Sequence, residues 1–600
     1  MEDKKPIDTK TLIGYILILG LSLWFFQINS TKEAGTSAEN SQEVVSTTNT
    51  SNGLIVGNTA GNLQSPPKNP FTTIENEVLK ITVNAKGGYI SALELKQIKD
   101  SDGGNVFLIK NAKDTNFNLQ LQTIDQKSIA TNQLYFTPTV SNSNGNTHLK
   151  MQTSIGGNQT ITYNYILKPN DYMLDFSIQS QGMAAAGTID TQKEAVLNWD
   201  LSTLRHAQSG SYENRYTDLI FEYESGKDDY VSQRDFAEDD AEEVSYIAYR
   251  QHFFSSILLP SNALKNAAFS SKNLFEDEKN DKYLRKFTTK APLSFRTGEL
   301  NHDFNWYFGP TDYKTLKSYD RNLDEVVSLG WGIFGWINRF IFIPLFGLLS
   351  SVFPYGIAII VMTVMVRLVL SPVTYKSYLS QAKMRALRSE INVINQKHAD
   401  NPMKKQKETM ELYNKAGVNP ASGCIPALMQ IPVFYALFSF FPSAYSLRQK
   451  SFLWANDLSS YDVVAQLPFN IPFYGDHISL FPILASIAIF FYIKMTSGKA
   501  MEMQQQPGMP NMKFLMYLSP VFMLIFFNNY ASGLSLYYFV SNLITIGIMF
   551  VIKNFIIDEN KIQLNIENNK KNPKKPSKFK QRLQAAMEEA ERQQKLNNKK

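Results

Sequence analysis

Apolar runs of near-bilayer length restrict this chain more than any other feature. A helix rises about 1.5 Å per residue, so about 20 apolar residues match the hydrocarbon core of a membrane. Five such runs crowd into the second half: Tyr355–Ser371, Gly423–Phe441, Leu480–Lys494, Phe514–Tyr530 and Gly533–Lys553. A sixth, Thr11–Ile28, follows Lys4, Lys5 and Lys10 and reads as an N-terminal anchor over residues 1–28, with a cleaved signal peptide as the alternative. No cysteine follows it closely, which excludes a lipid-modified N-terminus. Gly330–Phe353 is also apolar, but Trp331, Trp336 and Arg339 are spread through it, a pattern that predicts an amphipathic helix over 330–353 lying in the interface. The expectation is a multi-pass α-helical membrane protein with six spans.

Basic residues orient the spans. Residues 373–420 hold nine Lys and Arg, 495–513 hold Lys499 and Lys513, and Lys561–Lys600 hold 12 against 4 Glu. The connections 442–479 and 531–532 contain only Arg448 and Lys450. Six spans with both termini in the cytoplasm place every basic segment inside, as the positive-inside rule requires. Residues 29–330 then lie outside.

That outer segment begins with a Ser-, Thr-, Asn- and Gly-rich tether over 29–70. From about 71 to 325 the period changes to two. Leu79, Ile81 and Val83 alternate with polar neighbours, as do Phe117, Leu119 and Leu121, and then Tyr172, Leu174, Phe176 and Ile178. Gly87-Gly88 and Ser143-Asn144-Gly145-Asn146 supply turns, so the segment reads as an antiparallel all-β sandwich. Asp235–Glu243 reads as a solvated acidic loop. The six histidines (148, 206, 252, 302, 398, 477) show no metal-ligand spacing and read as ordinary core or surface residues. Cys424, the single cysteine, sits in an apolar run and reads as a packing residue.

Between the second and third spans, residues 373–417 carry Met384, Leu387, Ile391 and Ile394 at helical intervals. A break at Ala399–Pro402 follows, then Met410 and Tyr413, and Gly417 ends the pattern. This predicts a helical hairpin with one apolar seam and a basic exterior. Two readings stand: a solvated loop, or a docking arm for lipid head groups or an arriving chain.

The spans also contain polar groups. Arg367 interrupts TVMVRLVLSP, although a mid-bilayer charge costs roughly 2.5–3.5 kcal/mol or more. Thr363 lies four residues before it on the same helix face, Tyr538 and Asn542 repeat that spacing in the last span, and Gln430 sits in the third. Two readings stand here as well. Arg367 snorkels from about one turn inside the membrane, or these groups line a wet cavity. No Walker-type phosphate loop is present, so no nucleotide and no other cofactor is expected. An intramembrane serine protease is disfavoured, because Gly533-Leu534-Ser535-Leu536 lacks the GxSG form and no span contains histidine. A transporter with an outer β receptor domain is the alternative, though no inverted repeat with broken helices is visible.

The segments MVRLVLSPVT, YNKAGVNPASGCIPALMQIPVFYALF and SGLSLYYFVSNL resemble the signature regions of the YidC/Oxa membrane protein insertases. TIENEVLKITVNAKGGYISAL is similar to the start of the periplasmic domain of the two-membrane bacterial form. The resemblance implies a non-enzymatic insertase of the inner membrane, with a five-span core over 354–556 and a periplasmic β-supersandwich. By the same resemblance Arg367 matches the charge of a hydrophilic groove, and Thr363 and Tyr538 match positions along the path of the inserting helix. Gln430 and Asn542 fall in the matching segments as polar neighbours. The implied partners are nascent membrane proteins, a Sec translocon, the ribosome through the hairpin and the basic tail over 557–600, and anionic lipid head groups; DNA is not among them. Tyr530-Ala531-Ser532-Gly533 departs from the family pattern, which often has Pro before Ser-Gly, and predicts a looser turn between the last two spans.

Overall fold

The computed structural model describes residues 67–184, 188–224, 226–276, 282–398, 401–419, 425–496 and 512–571. The expected anchor over 1–28, most of the tether, Cys424 and the tail beyond Lys571 lie outside the described residues. The chain divides into two compact units. One is a β unit ending at Ser328 to which Ser443–Gln449 also belongs; the other is helical and takes up Leu329–Pro442 and the residues from Lys450 onward.

The β unit contains antiparallel sheets of nine, six and four strands. The centre of the nine-stranded sheet pairs Phe254–Pro260 with Asn301–Pro310, and Asn301–Pro310 with Met173–Gln181. In the six-stranded sheet, Ala195–Leu204 lies between Thr115–Gln122 and Tyr283–Leu293. Inward-facing alternate residues of the sheets merge into one apolar core. Trp199 stacks on Tyr249 at 3.8 Å between ring centroids, and meets Trp306 edge-on at 5.4 Å. Buried hydroxyls find partners, as in Tyr249 Oη donating to the Trp199 carbonyl at 2.8 Å and Tyr165 Oη to that of Gly88 at 2.7 Å. The turn at Asn144-Gly145 adopts positive φ at both residues, +52° and +81°, which suits a two-residue hairpin loop. The acidic stretch expected as a loop is instead a strand, Phe236–Val244, at the edge of the six-stranded sheet and paired with Leu264–Asn273. Ala241 and Val244 face inward while the acids stay exposed, a charged edge that resists pairing with another chain.

In the helical unit, Gly332–Ile337 leads through a wider turn at Asn338–Phe342 into α1 (Ile343–Val352). Then come α2 (Tyr355–Ala386), α3 (Arg388–Lys397), α4 (Pro402–Lys415) and α5 (Ile425–Ser443). They are followed by α6 (Leu480–Thr496), α7 (Met512–Phe527), α8 (Ser532–Val551) and α9 (Glu559–Lys571). Among the described residues, Gly332–Val352, Tyr355–Ala386 and Ser532–Ile556 are long and apolar enough to cross a membrane. Shorter apolar helices occupy Leu428–Ser443, Leu480–Met495 and Met516–Phe527. The buried Asn338 side chain ties the first of these helices to its neighbour, its Nδ2 donating to the carbonyls of Leu329 and Ala436 at 2.7 Å each.

Two boundaries differ from expectation. Helix α2 does not stop at Ser371 but runs through Pro372 for 32 residues into the hairpin. Proline has no N–H to offer the Leu368 carbonyl; the Ser371 hydroxyl donates to that oxygen instead, at 2.7 Å. The turn between α7 and α8 is not looser for want of proline. Ser532 N donates to Ser460 O at 2.7 Å, Gly533 N to Leu458 O at 2.9 Å, and Ser532 Oγ to Asp457 O at 2.9 Å, so a preceding loop closes it.

Candidate functional site: a polar cluster among apolar helices

The cluster forms where α2, α5 and α8 approach one another. Arg367 is half-buried on α2. Its Nε donates to Ser541 Oγ on α8 at 2.6 Å, and its Nη1 donates to Gln430 Oε1 on α5 at 2.9 Å. Bonds from a guanidinium to neutral acceptors are charge-assisted, and the two together hold its plane between the helices. The side chain is therefore not stretched along its own helix towards water.

Around it lie polar atoms with incomplete partners. Gln430 Nε2, Tyr537 Oη and Tyr538 Oη are buried without a hydrogen bond among the described residues. The Tyr537 hydroxyl lies beside Ser541 and Gln430 but closes no well-formed bond to either. The charge of Arg367 reaches the hydroxyls of Tyr492, Tyr537 and Tyr538. Buried polar groups are nearly always satisfied in folded proteins, so these atoms keep hydrogen-bonding capacity that the described side chains do not use.

The five residues singled out from sequence divide into two sets. Arg367 and Gln430 are directly bonded, and Tyr538 is within electrostatic reach of Arg367. The Tyr538 ring packs against Phe434 at 5.5 Å and Phe527 at 5.2 Å. Thr363 is fully buried and its hydroxyl donates to Ile359 O on its own helix at 2.6 Å. Asn542 Nδ2 likewise donates to Tyr538 O, one turn back, at 2.7 Å. Sequence reasoning passed over Ser541 and Tyr537. Their signal was present: Tyr537, Ser541 and Thr545 are spaced at i, i+4 and i+8, one residue out of step with the pair Tyr538 and Asn542. Among the described residues no three His, Cys, Asp or Glu side chains gather as for a metal ion.

Comparison with known proteins bears on the whole chain. A family model described as 60Kd inner membrane protein matches residues 347–560, and one described as YidC periplasmic domain matches 72–344. A membrane protein insertase YidC of Parabacteroides distasonis is 37% identical, over 86% of this chain and 82% of that protein. Another, of Porphyromonas gingivalis, is 34% identical over 90% and 86%. A crystal structure of an active YidC insertase aligns with 82% of this chain and 94% of that one at 18% identity, with a TM-score of 0.32, too low for the superposition to carry weight. The two family models together run from the β unit into α9, and full-length relatives match above 30% identity; the chain belongs to the YidC family of membrane protein insertases.

Proposed function

We propose that the Arg367 cluster is the point at which this inner-membrane insertase receives the polar segment of a nascent membrane protein. The barrier to insertion is the desolvation of that segment, whose unpaired polar groups each cost several kcal/mol in hydrocarbon. A hydrated cluster with a fixed positive charge lowers it by offering partners part-way across. The observation that carries this reading is the guanidinium bridged by Ser541 and Gln430 amid unsatisfied hydroxyls. Acidic or carbonyl groups of the client compete for the remaining N–H donors of Arg367, at a strength raised by the low surrounding dielectric. The client's apolar helix then leaves into lipid beside Thr363 and Tyr538, driven by hydrophobic transfer. No bond is made or broken and no nucleotide is consumed.

In this reading the β unit is periplasmic, both termini are cytoplasmic, and Gly332–Val352 lies in the interface. The hairpin α3–α4 and the basic tail face the cytoplasm, where Lys and Arg meet anionic lipid and ribosomal RNA through salt-sensitive contacts. A Sec translocon is a further partner for large clients.

The test replaces Arg367 in cells depleted of their own insertase and follows a small single-spanning substrate. Arg367→Ala is expected to reduce insertion about tenfold or more, with partial recovery in Arg367→Lys, which keeps charge but not the planar two-sided bridge. Photocrosslinks to the nascent chain should form from Tyr538. Unimpaired insertion by the Ala variant for every substrate would overturn the role of the charge.

A further inference from the structure

The loop between α5 and α6 contains a two-stranded hairpin, Ala465–Ile471 paired with Gly475–Ile478. Its register slips between Gln466 and Ile471, so Leu467 to Asn470 form an irregular bulge. No charged residue occurs from Val463 to Gly475. Within that stretch Phe473 is 92% exposed, Phe469 61% and Ile471 37%. One nearly bare and one largely exposed phenylalanine on an uncharged tip are costly in water, at about 25 cal/mol per Å² of apolar surface.

The hairpin is also fixed in place. Asn528 and Asn529 follow the last residue of α7, and both donate from Nδ2 to the Tyr474 carbonyl, at 2.9 and 2.8 Å. Asn528 Nδ2 donates to His477 O as well, at 3.0 Å, while its Oδ1 accepts from Ser479 N at 3.0 Å. Both ends of the second strand are thereby pinned to the end of α7. Tyr474 is held at the end of α7, and Phe473 is its neighbour in sequence.

We propose that this hairpin is a lipid anchor, its Phe469 and Phe473 rings sunk into the head-group boundary of the bilayer beside the end of α7. Aromatic side chains favour that layer, and an uncharged segment binds there without regard to lipid charge. Helix α6, which follows the hairpin, also exposes apolar side chains, among them Ile487, Phe490 and Phe491. The inference rests on the reading that α6 and α7 lie in the bilayer.

The test uses the full chain with Cys424→Ser, carrying Phe473→Cys labelled with a nitrobenzoxadiazole dye, in vesicles of phosphatidylethanolamine and phosphatidylglycerol. Labels at Ile487→Cys on α6 and at the exposed Asp229→Cys of the β unit serve as references. The expected result at 473 is emission blue-shifted from that at 229, and stronger quenching by lipids with a nitroxide near the head group than by aqueous iodide. Iodide quenching at 473 like that at 229, with deep nitroxide quenching at 487, would overturn the anchor alone. Loss of lipid quenching at both 473 and 487 would overturn the placement of the helices as well. Protection at 473 from both iodide and nitroxide would assign the tip to a protein contact and also overturn the proposal.

Discussion

Arg367 has five N–H donors, and the structure assigns one to Ser541 and one to Gln430. On the role proposed for Arg367, Ser541 is a positioning residue, since it touches the charge rather than the client. A hydrogen bond to a charged group contributes about 1.5–3 kcal/mol, so its loss lets the guanidinium swing. Ser541→Ala is expected to lower insertion about three- to tenfold while leaving protein levels intact, and Ser541→Thr should restore most of it, as measured by protease protection of an inserted substrate. The arginine could be read from the sequence because a charge among apolar residues is conspicuous. Ser541 could not, because serine is common in membrane helices and only the docking of α2 on α8 gives it a partner. A second pair of residues contributes to the pH response of the β unit. Glu213, buried in the short helix Gly210–Asn214, is pushed up to about 7 by burial, although its carboxylate accepts the N–H groups of His206 and Ala207 at 2.8 Å each. Arg448 and Arg205 act on it in the opposite sense. Burial, with help from Arg448, pushes His206 down to about 3. A carboxyl with a raised folded pKa binds more protons in the fold, so its contribution to stability falls as pH rises from about 4.5 to 7. The buried neutral imidazole has the opposite sign, and its contribution rises from about 3 to 6.5. Between 4.5 and 6.5 the two slopes cancel. Glu213→Gln should expose the histidine slope, with the unfolding free energy climbing about 1.4 kcal/mol per pH unit in urea titrations. A flat profile in that variant would refute the pairing.

Helix α9 shows how an element can escape a sequence reading. Glu559–Lys571 is polar and rich in Asn, and its basic residues merge with those of the tail. Yet Ile562 and Ile566, one turn apart, are buried against Leu387, Ile391, Ala416 and Val418 of the hairpin. Lys570 Nζ lies 2.5 Å from Glu390 Oε1, and Asn569 Nδ2 donates to Ala416 O at 3.3 Å. The hairpin's apolar seam was legible from its spacing, and Gly417, with φ of +67°, ends α4 where expected. What covers the seam was not legible, because two isoleucines among polar residues carry no strong period. The tail therefore has two parts, and truncations should separate them. Nine of the twelve Lys and Arg after Asn560 lie beyond Lys571. Deletion after Lys571 should weaken ribosome co-sedimentation with a reduced salt slope, while amide exchange in 387–418 stays slow. Deletion after Ile557 should do both, weakening ribosome binding and speeding that exchange. Ile566→Asp should reproduce only the second effect, since a buried unpaired carboxylate opposes the docking of α9. Equal exchange in all three variants would show that α9 does not hold the hairpin.

At the scale of the whole molecule, the chain passes from the β unit into the helical unit after Ser328, returns at Ser443 and leaves again after Gln449. The division into an alternating-period region and an apolar region was legible from the residue pattern alone. The return of seven residues to the β unit was not, because it depends on contacts hundreds of residues apart. Tyr445 packs edge-on to Phe253 at 6.1 Å and Phe254 at 6.3 Å, and burial pushes its hydroxyl up to about 12. Arg448 lies 5.0 Å over the Phe254 ring, and Gln449 Nε2 donates to Asp100 O at 2.7 Å. Aromatic pairs and cation–π contacts contribute about 0.5–1.5 and 0.5–1 kcal/mol beyond area burial. These contacts make the segment a structural part of the sandwich, and its removal should be felt there. Tyr445→Ala in the full chain is expected to destabilise the β unit by about 1–2 kcal/mol. For a domain of this size that lowers its melting temperature by roughly 2–8 °C, read by β-sheet circular dichroism in detergent. Arg448→Ala should add to the loss by less than its own single effect, because both side chains lean on Phe254 and neighbouring contacts do not sum. An unchanged melt in the double variant would mean that the segment rides on the sandwich without supporting it.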